Sequence, residues 1–168
     1  TQIGAFETRD IVILSSAQIS AFDATELAAG INLTYTRLSL LSSSTFSGLT
    51  TAQLDALSTV ALQTLTTTQI AGMTTEQAAS LSDAKIVALT TSQVKGLTTA
   101  QINQGLSTAQ IAAMETGDIA ALTTTNVAAL TTTQVRQGLT TAQVVALTTE
   151  QVALGLTTAQ INLGLTTT

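Results

Sequence analysis

Glu115 and Asp118 are the nearest approach to a paired-carboxylate site in the 168-residue chain, and Glu7 and Asp10 repeat their spacing. Two carboxylates this close do general acid/base work only in a pocket that drives their pKa values apart. The same spacing also marks a capping pair at a helix start, where the helix dipole favours negative charge. Their place in a repeat, described below, favours the capping role. Ser and Thr nucleophiles need an activating base. The chain has no His and no Cys, and Lys85 and Lys95 have no distinguishing neighbours. His-based acid/base catalysis, thiolate nucleophiles, disulfides and zinc fingers are thereby removed. The acidic residues lack the Gly-Gly-x-Gly-x-Asp spacing of calcium-binding nonapeptide repeats. Asn32-Leu33-Thr34 is a glycosylation triplet of a kind common by chance. The residues predict no catalytic, cofactor-binding or metal-binding site, and no enzyme.

What positions these side chains is a short phrase: Leu, two hydroxyl residues, a variable residue, Gln, then Val or Ile. It stands as Leu49-Thr50-Thr51-Ala52-Gln53-Leu54, Leu97-Thr98-Thr99-Ala100-Gln101-Ile102 and Leu156-Thr157-Thr158-Ala159-Gln160-Ile161. Its first position recurs at Phe6, Leu14, Phe22 and Leu33, then every eight or nine residues to Leu165. A fixed short period is the mark of a solenoid, in which each unit packs mainly on its neighbours. Residues 49–168 form a regular array. Residues 1–48 are less regular and hold all four aromatics, Phe6, Phe22, Tyr35 and Phe46. They read either as a junction with another chain or domain or as diverged repeats. Both ends fall inside a unit, as in a segment of a longer array or in copies that cap one another.

Numbered from its Leu, the unit pairs a capping residue at position two with Gln or a polar variant at position five. Ser15 with Gln18, Asp23 with Glu26, Thr50 with Gln53 and Thr74 with Gln77 show the spacing of a capping box. Gly72, Gly96, Gly105, Gly138, Gly155 and Gly164 each precede a Leu or Met, which predicts left-handed helix C-termini. The fold class expected is all-α: a solenoid of very short capped helices, with eight or nine residues per unit. Leu at position one and Val or Ile at position six would form the core, with Thr and Gln as hydrated surface and caps. A helix of about six residues is unstable alone and needs the stack to hold it. The competing reading is a β-solenoid with two units per coil, since Thr, Val and Ile favour strands. Against it, alternation is poor, and one-residue changes of unit length would flip side chains across a sheet.

Composition bounds the partners. Thr accounts for 36 of 168 residues, Pro is absent, and the formal charge is −5 with only five basic residues. That balance argues against nucleic acid. No apolar run approaches the roughly 18–20 residues of a membrane span. Recurrent Thr-Thr pairs invite an ice-binding reading, but that needs a flat β-face, where adjacent residues point to opposite sides.

The units Leu139-Thr140-Thr141-Ala142-Gln143-Val144-Val145-Ala146 and Leu147-Thr148-Thr149-Glu150-Gln151-Val152 resemble the Leu-Thr-Thr-x-Gln-Val-x-Ala-Leu arrays of very large bacterial surface and secreted proteins. The resemblance covers nearly the whole chain and is strongest from Leu49 onward. It implies an extracellular, adhesin-like or fibre-forming protein of a Gram-negative bacterium, with no catalytic or ligand residues to carry over. The function expected is a structural filament or stalk whose partners are further copies or a continued array. The alternative is an adhesin presenting a repeat surface to a glycan or protein.

Overall fold

The structure, a computed structural model, describes residues 8–25 and 38–165. Among these residues there are helices and no strands, so the all-α reading holds and the β-solenoid does not. The prevailing helix has six residues, as in Thr51–Ala56, Thr75–Ser80, Thr108–Ala113 and Thr141–Ala146. Two extended residues join each helix to the next. Leu57 at φ −67°, ψ 136° ends one helix, and Ser58 at φ −68°, ψ 158° caps the following one. The corner is thus the Leu and its hydroxyl neighbour.

Capping chemistry explains why the helix starts there. Thr50, Thr66, Thr74, Thr90, Ser107, Thr123 and Thr140 each accept from the backbone N–H three residues on, and the position-five side chain accepts from the cap's own N–H. Two orphan donors are satisfied reciprocally at each of these seven starts.

The expected left-handed C-termini are not found. No described glycine has positive φ. The terminal glycines answer instead to close approach on the unit three places earlier: Gly48, Gly72 and Gly96 lie on its position three, and Gly105, Gly138, Gly155 and Gly164 lie on its position-six side chain as well. A Cβ on Gly96 would meet the Thr67 carbonyl oxygen at 3.0 Å, and one on Gly48 would sit 2.6 Å from the Ser16 Cα. Glycine here admits a neighbouring backbone, its other characteristic use.

Units of nine residues begin at Leu97, Leu130, Leu147 and Leu156, and these four carry π-helical turns, at Gln101–Gly105, Gln134–Gly138, Gln151–Gly155 and Gln160–Gly164. In an eight-residue unit the next Leu-position N–H reaches a carbonyl three residues back, as Met73 does to Ile70 at 3.2 Å. In a nine-residue unit it reaches five back, as Leu106 does to Gln101 at 2.8 Å. The extra residue is taken up as a wider turn, and Leu arrives at the same corner.

Each helix packs on the third one before it and the third one after. Thr67–Gly72 lies between Ser43–Phe46 and Thr91–Lys95, and Thr116–Ala121 lies between Thr91–Lys95 and Thr141–Ala146. One coil is therefore three units: 24 residues from Leu65 to Leu89, and 25 from Leu97 to Leu122. The core is one continuous column. Position one supplies Leu49, Leu65, Leu81, Leu97 and Leu130; position six supplies Leu54, Ile70, Ile86, Ile102 and Val127, the latter five all fully buried. Full burial of such a side chain contributes about 1.5–3 kcal/mol. Phe46 fills a position-six place at zero exposure, and Phe22 packs against the same cluster; Phe6 and Tyr35 lie outside the described residues.

Candidate functional site

Between coils runs a ladder of glutamine side chains. Gln53, Gln69, Gln77, Gln93, Gln101, Gln110, Gln134, Gln143, Gln151 and Gln160 are all buried. This corrects the expectation of a hydrated Gln surface. The cause is the pair of carbonyls at each corner that the short helix does not saturate. The turn into the extended corner leaves position six without the usual partner four residues on, and the following Leu lies outside the next helix. A Gln from the coil above supplies both donors.

The geometry repeats closely. Gln101 Oε1 accepts from the Thr98 N–H at 2.7 Å, while Nε2 donates to Ile70 O at 2.7 Å and Met73 O at 2.8 Å. Gln143 accepts from Thr140 N–H at 2.8 Å and donates to Ile111 O at 2.8 Å and Met114 O at 2.7 Å. Gln93 donates to Leu62 O and Leu65 O, both at 2.8 Å. One primary amide thus caps its own helix and binds the coil beneath. A Glu could make the first bond but offers no N–H for the second.

Within residues 38–165, five units depart from Gln at this position. Asn126 reaches down to Leu97 O alone, at 2.8 Å. Thr45 donates its hydroxyl to Leu14 O at 2.8 Å. Ala61 has no polar group to offer. Lys85, 6% exposed, sends its ammonium to the Asp55 backbone carbonyl and, at 2.8 Å, to its carboxylate. The hydrogen bond and charge of Lys85 hold the exposed Asp55 carboxyl below its ordinary value.

Asp118 is the fifth. It is 3% exposed, and burial raises its carboxyl above the ordinary value; the polar Thr91 hydroxyl and Glu115 backbone N–H nearby oppose that rise, while the Glu115 charge adds to it. Glu115 occupies the N-cap but makes no side-chain capping bond. The two residues stand at the capping positions of Thr116–Ala121, but the reciprocal capping box expected of them is not formed. Asp10 lies 3.8 Å from the exposed Arg9, and Lys95 is exposed. Glu7 and the Asn32–Thr34 triplet lie outside the described residues. The Thr pairs stand at helix starts, with the first hydroxyl turned to its own helix, and form no flat β-face among the described residues. Nor, among them, does any group of three acidic side chains gather as a metal site. No described helix is long and apolar enough to cross a membrane.

The ALTTAQ repeat family matches this chain over residues 46–83 and 111–149, stretches that lie within the continuous array of coils seen in the structure. No curated protein and no solved structure matches the chain.

The position-five Gln was the functional residue hardest to see. Its signal was present: Gln recurs where capping alone would accept Glu equally well, as in Asp23 with Glu26. A demand for N–H donors distinguishes the two.

Proposed function

We propose that the chain is a structural protein, an extracellular filament or stalk of a bacterial surface, lengthened by stacking further coils within one chain or between copies. It works by extension and carries no catalysis, cofactor or metal chemistry. The observation that supports this reading most is the amide ladder. At most steps a unit offers the coil above the same carbonyl pair and receives the same Nε2 donor, so adding coils repeats one contact. The resemblance to surface and secreted repeat arrays supports the location. Electron microscopy of the purified protein over a dilution series tests the reading. Continuous fibres or long rods with a regular axial spacing are expected; compact particles without axial repeat would contradict it.

One observation favours the second reading, an adhesin array. A groove of about 290 Å³ lies between the stacked Gln134–Gly138 and Gln160–Gly164 turns, lined by Thr132, Thr133, Arg136, Asn162 and Leu163. A guanidinium, an amide and two hydroxyls beside one apolar side chain suit an acidic sugar. That reading predicts a rise in melting temperature with a uronate oligosaccharide, lost in Arg136→Ala.

A further inference from the structure

Asp118 differs from the other polar substitutions of the seam. Gln, Asn, Thr and Lys all bring a hydrogen to the carbonyls below; an ionised carboxylate brings none. The register places Ile86 O and Leu89 O beneath position five of the Met114 unit, as Ala78 O and Leu81 O lie beneath Gln110. Asn126, one unit on and of the same side-chain length, shows what reach allows. Its Oδ1 accepts from the Thr123 N–H at 3.2 Å while Nδ2 donates to Leu97 O, the position-one carbonyl of the coil below. A neutral aspartic acid is isosteric with that asparagine. By that analogy its carbonyl oxygen would take the Glu115 N–H and its O–H would face Leu89 O.

We propose that Asp118 makes the contact between Thr91–Lys95 and Thr116–Ala121 an acid-strengthened joint of the rod, closed when the carboxyl gains a proton and donates it to Leu89 O, and loosened when that proton leaves. The reading holds whether or not the rod forms a filament. The surroundings fit. Glu115 on the same unit is the like charge that opposes ionisation. Lys95, on the helix below, is exposed and does not act on Asp118. Of the neighbouring helices, Asp83–Ala88 carries Asp83 and Lys85, and Lys85 is committed to Asp55. Thr108–Ala113, Thr124–Ala129 and Thr141–Ala146 carry no charged residue. The Thr91 hydroxyl nearby is a neutral group that can serve the carboxyl in either state by rotation of its O–H.

The sign follows from burial. A carboxyl raised in the folded state contributes stability that is fully present below its unfolded value of 3.8 and is lost as pH rises through the folded value. Asp55, held low by Lys85, acts in the opposite sense and at lower pH.

The test compares the wild-type protein with Asp118→Asn, which carries the donor at every pH. Melting curves and amide exchange of Ile119 are followed from pH 3 to pH 8. At pH 7 the variant is expected to melt higher and to exchange Ile119 about three- to tenfold more slowly, as one recovered hydrogen bond implies. The two proteins should converge as the pH falls below 4. Parallel profiles, with the same difference at every pH, would overturn the proposal, as would a carboxyl carbon resonance of Asp118 that titrates at or below the ordinary aspartate value.

Discussion

The contacts made by Gln101, Gln134 and Gln143 and those made by Ala61, Asp118 and Asn126 occupy equivalent places in the coil and differ in one side chain. In the first group a buried amide uses its acceptor on its own helix and both donors on the coil below. In the second, the donors fall to one at Asn126 and to none at Ala61. The apolar column beneath is the same, since Leu62, Ile119 and Val127 are as fully buried as Ile102 and Ile111. Hydrophobic stacking thus builds the rod, and the amides fix how one coil sits on the next. Apolar burial is tolerant of small slips; three hydrogen bonds with defined directions are not.

The comparison can be broken from the apolar side first. Leu122→Asp places a carboxylate on the axis of the column, with neither a Thr hydroxyl nor a free cap N–H to receive it, unlike Asp118. A loss above about 3–5 kcal/mol is expected, read as premature exchange of amides in residues 97–147 while the more distant coils stay protected. Uniform loss along the chain would show that the coils do not behave as neighbours only.

Gln101→Leu keeps the volume and removes the amide, leaving the Thr98 N–H and the Ile70 and Met73 carbonyls without it. A cost of about 2–4 kcal/mol is expected in urea unfolding. An effect below 0.5 kcal/mol, of the order of an ordinary surface change, would mean that the seam contributes little beyond burial.

Asn126→Gln sharpens the contrast in the other direction. The longer side chain should add a bond to Val94 O, in the register of its neighbours, and stabilise by about 0.5–1.5 kcal/mol. Smallest of all should be deletion of Gln137, which converts Leu130-Thr131-Thr132-Thr133-Gln134-Val135-Arg136-Gln137-Gly138 to eight residues. The Leu89 unit already shows that form, ending Gln93-Val94-Lys95-Gly96 in an ordinary α-helical turn. Helicity by circular dichroism should be unchanged and the melting temperature should move by only a few degrees.

Much of this architecture was legible in the sequence because it is local. Capping pairs such as Thr74 with Gln77 act within four residues, and the Leu and Ile positions announce the core by recurrence. The switch between eight- and nine-residue units pointed to helix over strand for the right reason. The number of units per coil was not legible, because it depends on the corner angle summed over three turns. Gly96 misled for a related cause: a glycine that admits the Thr67 backbone 29 positions earlier looks in sequence like one that needs positive φ. Gln93 reads in sequence as a cap because its cap partner is three residues away, whereas its other partners, Leu62 and Leu65, lie 31 and 28 residues back. In each case the missed contact crosses from one coil to the next.

The seam itself is most directly tested by hydrogen exchange of glutamine side-chain amides, resolved by NMR on uniformly labelled protein. Gln63, Gln104 and Gln137 are exposed and serve as controls within the same chain. Two classes are expected: slow exchange and dispersed resonances for Gln93, Gln101, Gln134 and Gln143, and rapid exchange for the three controls. A single fast class, with all glutamines exchanging alike, would contradict the claim that buried amides join the coils.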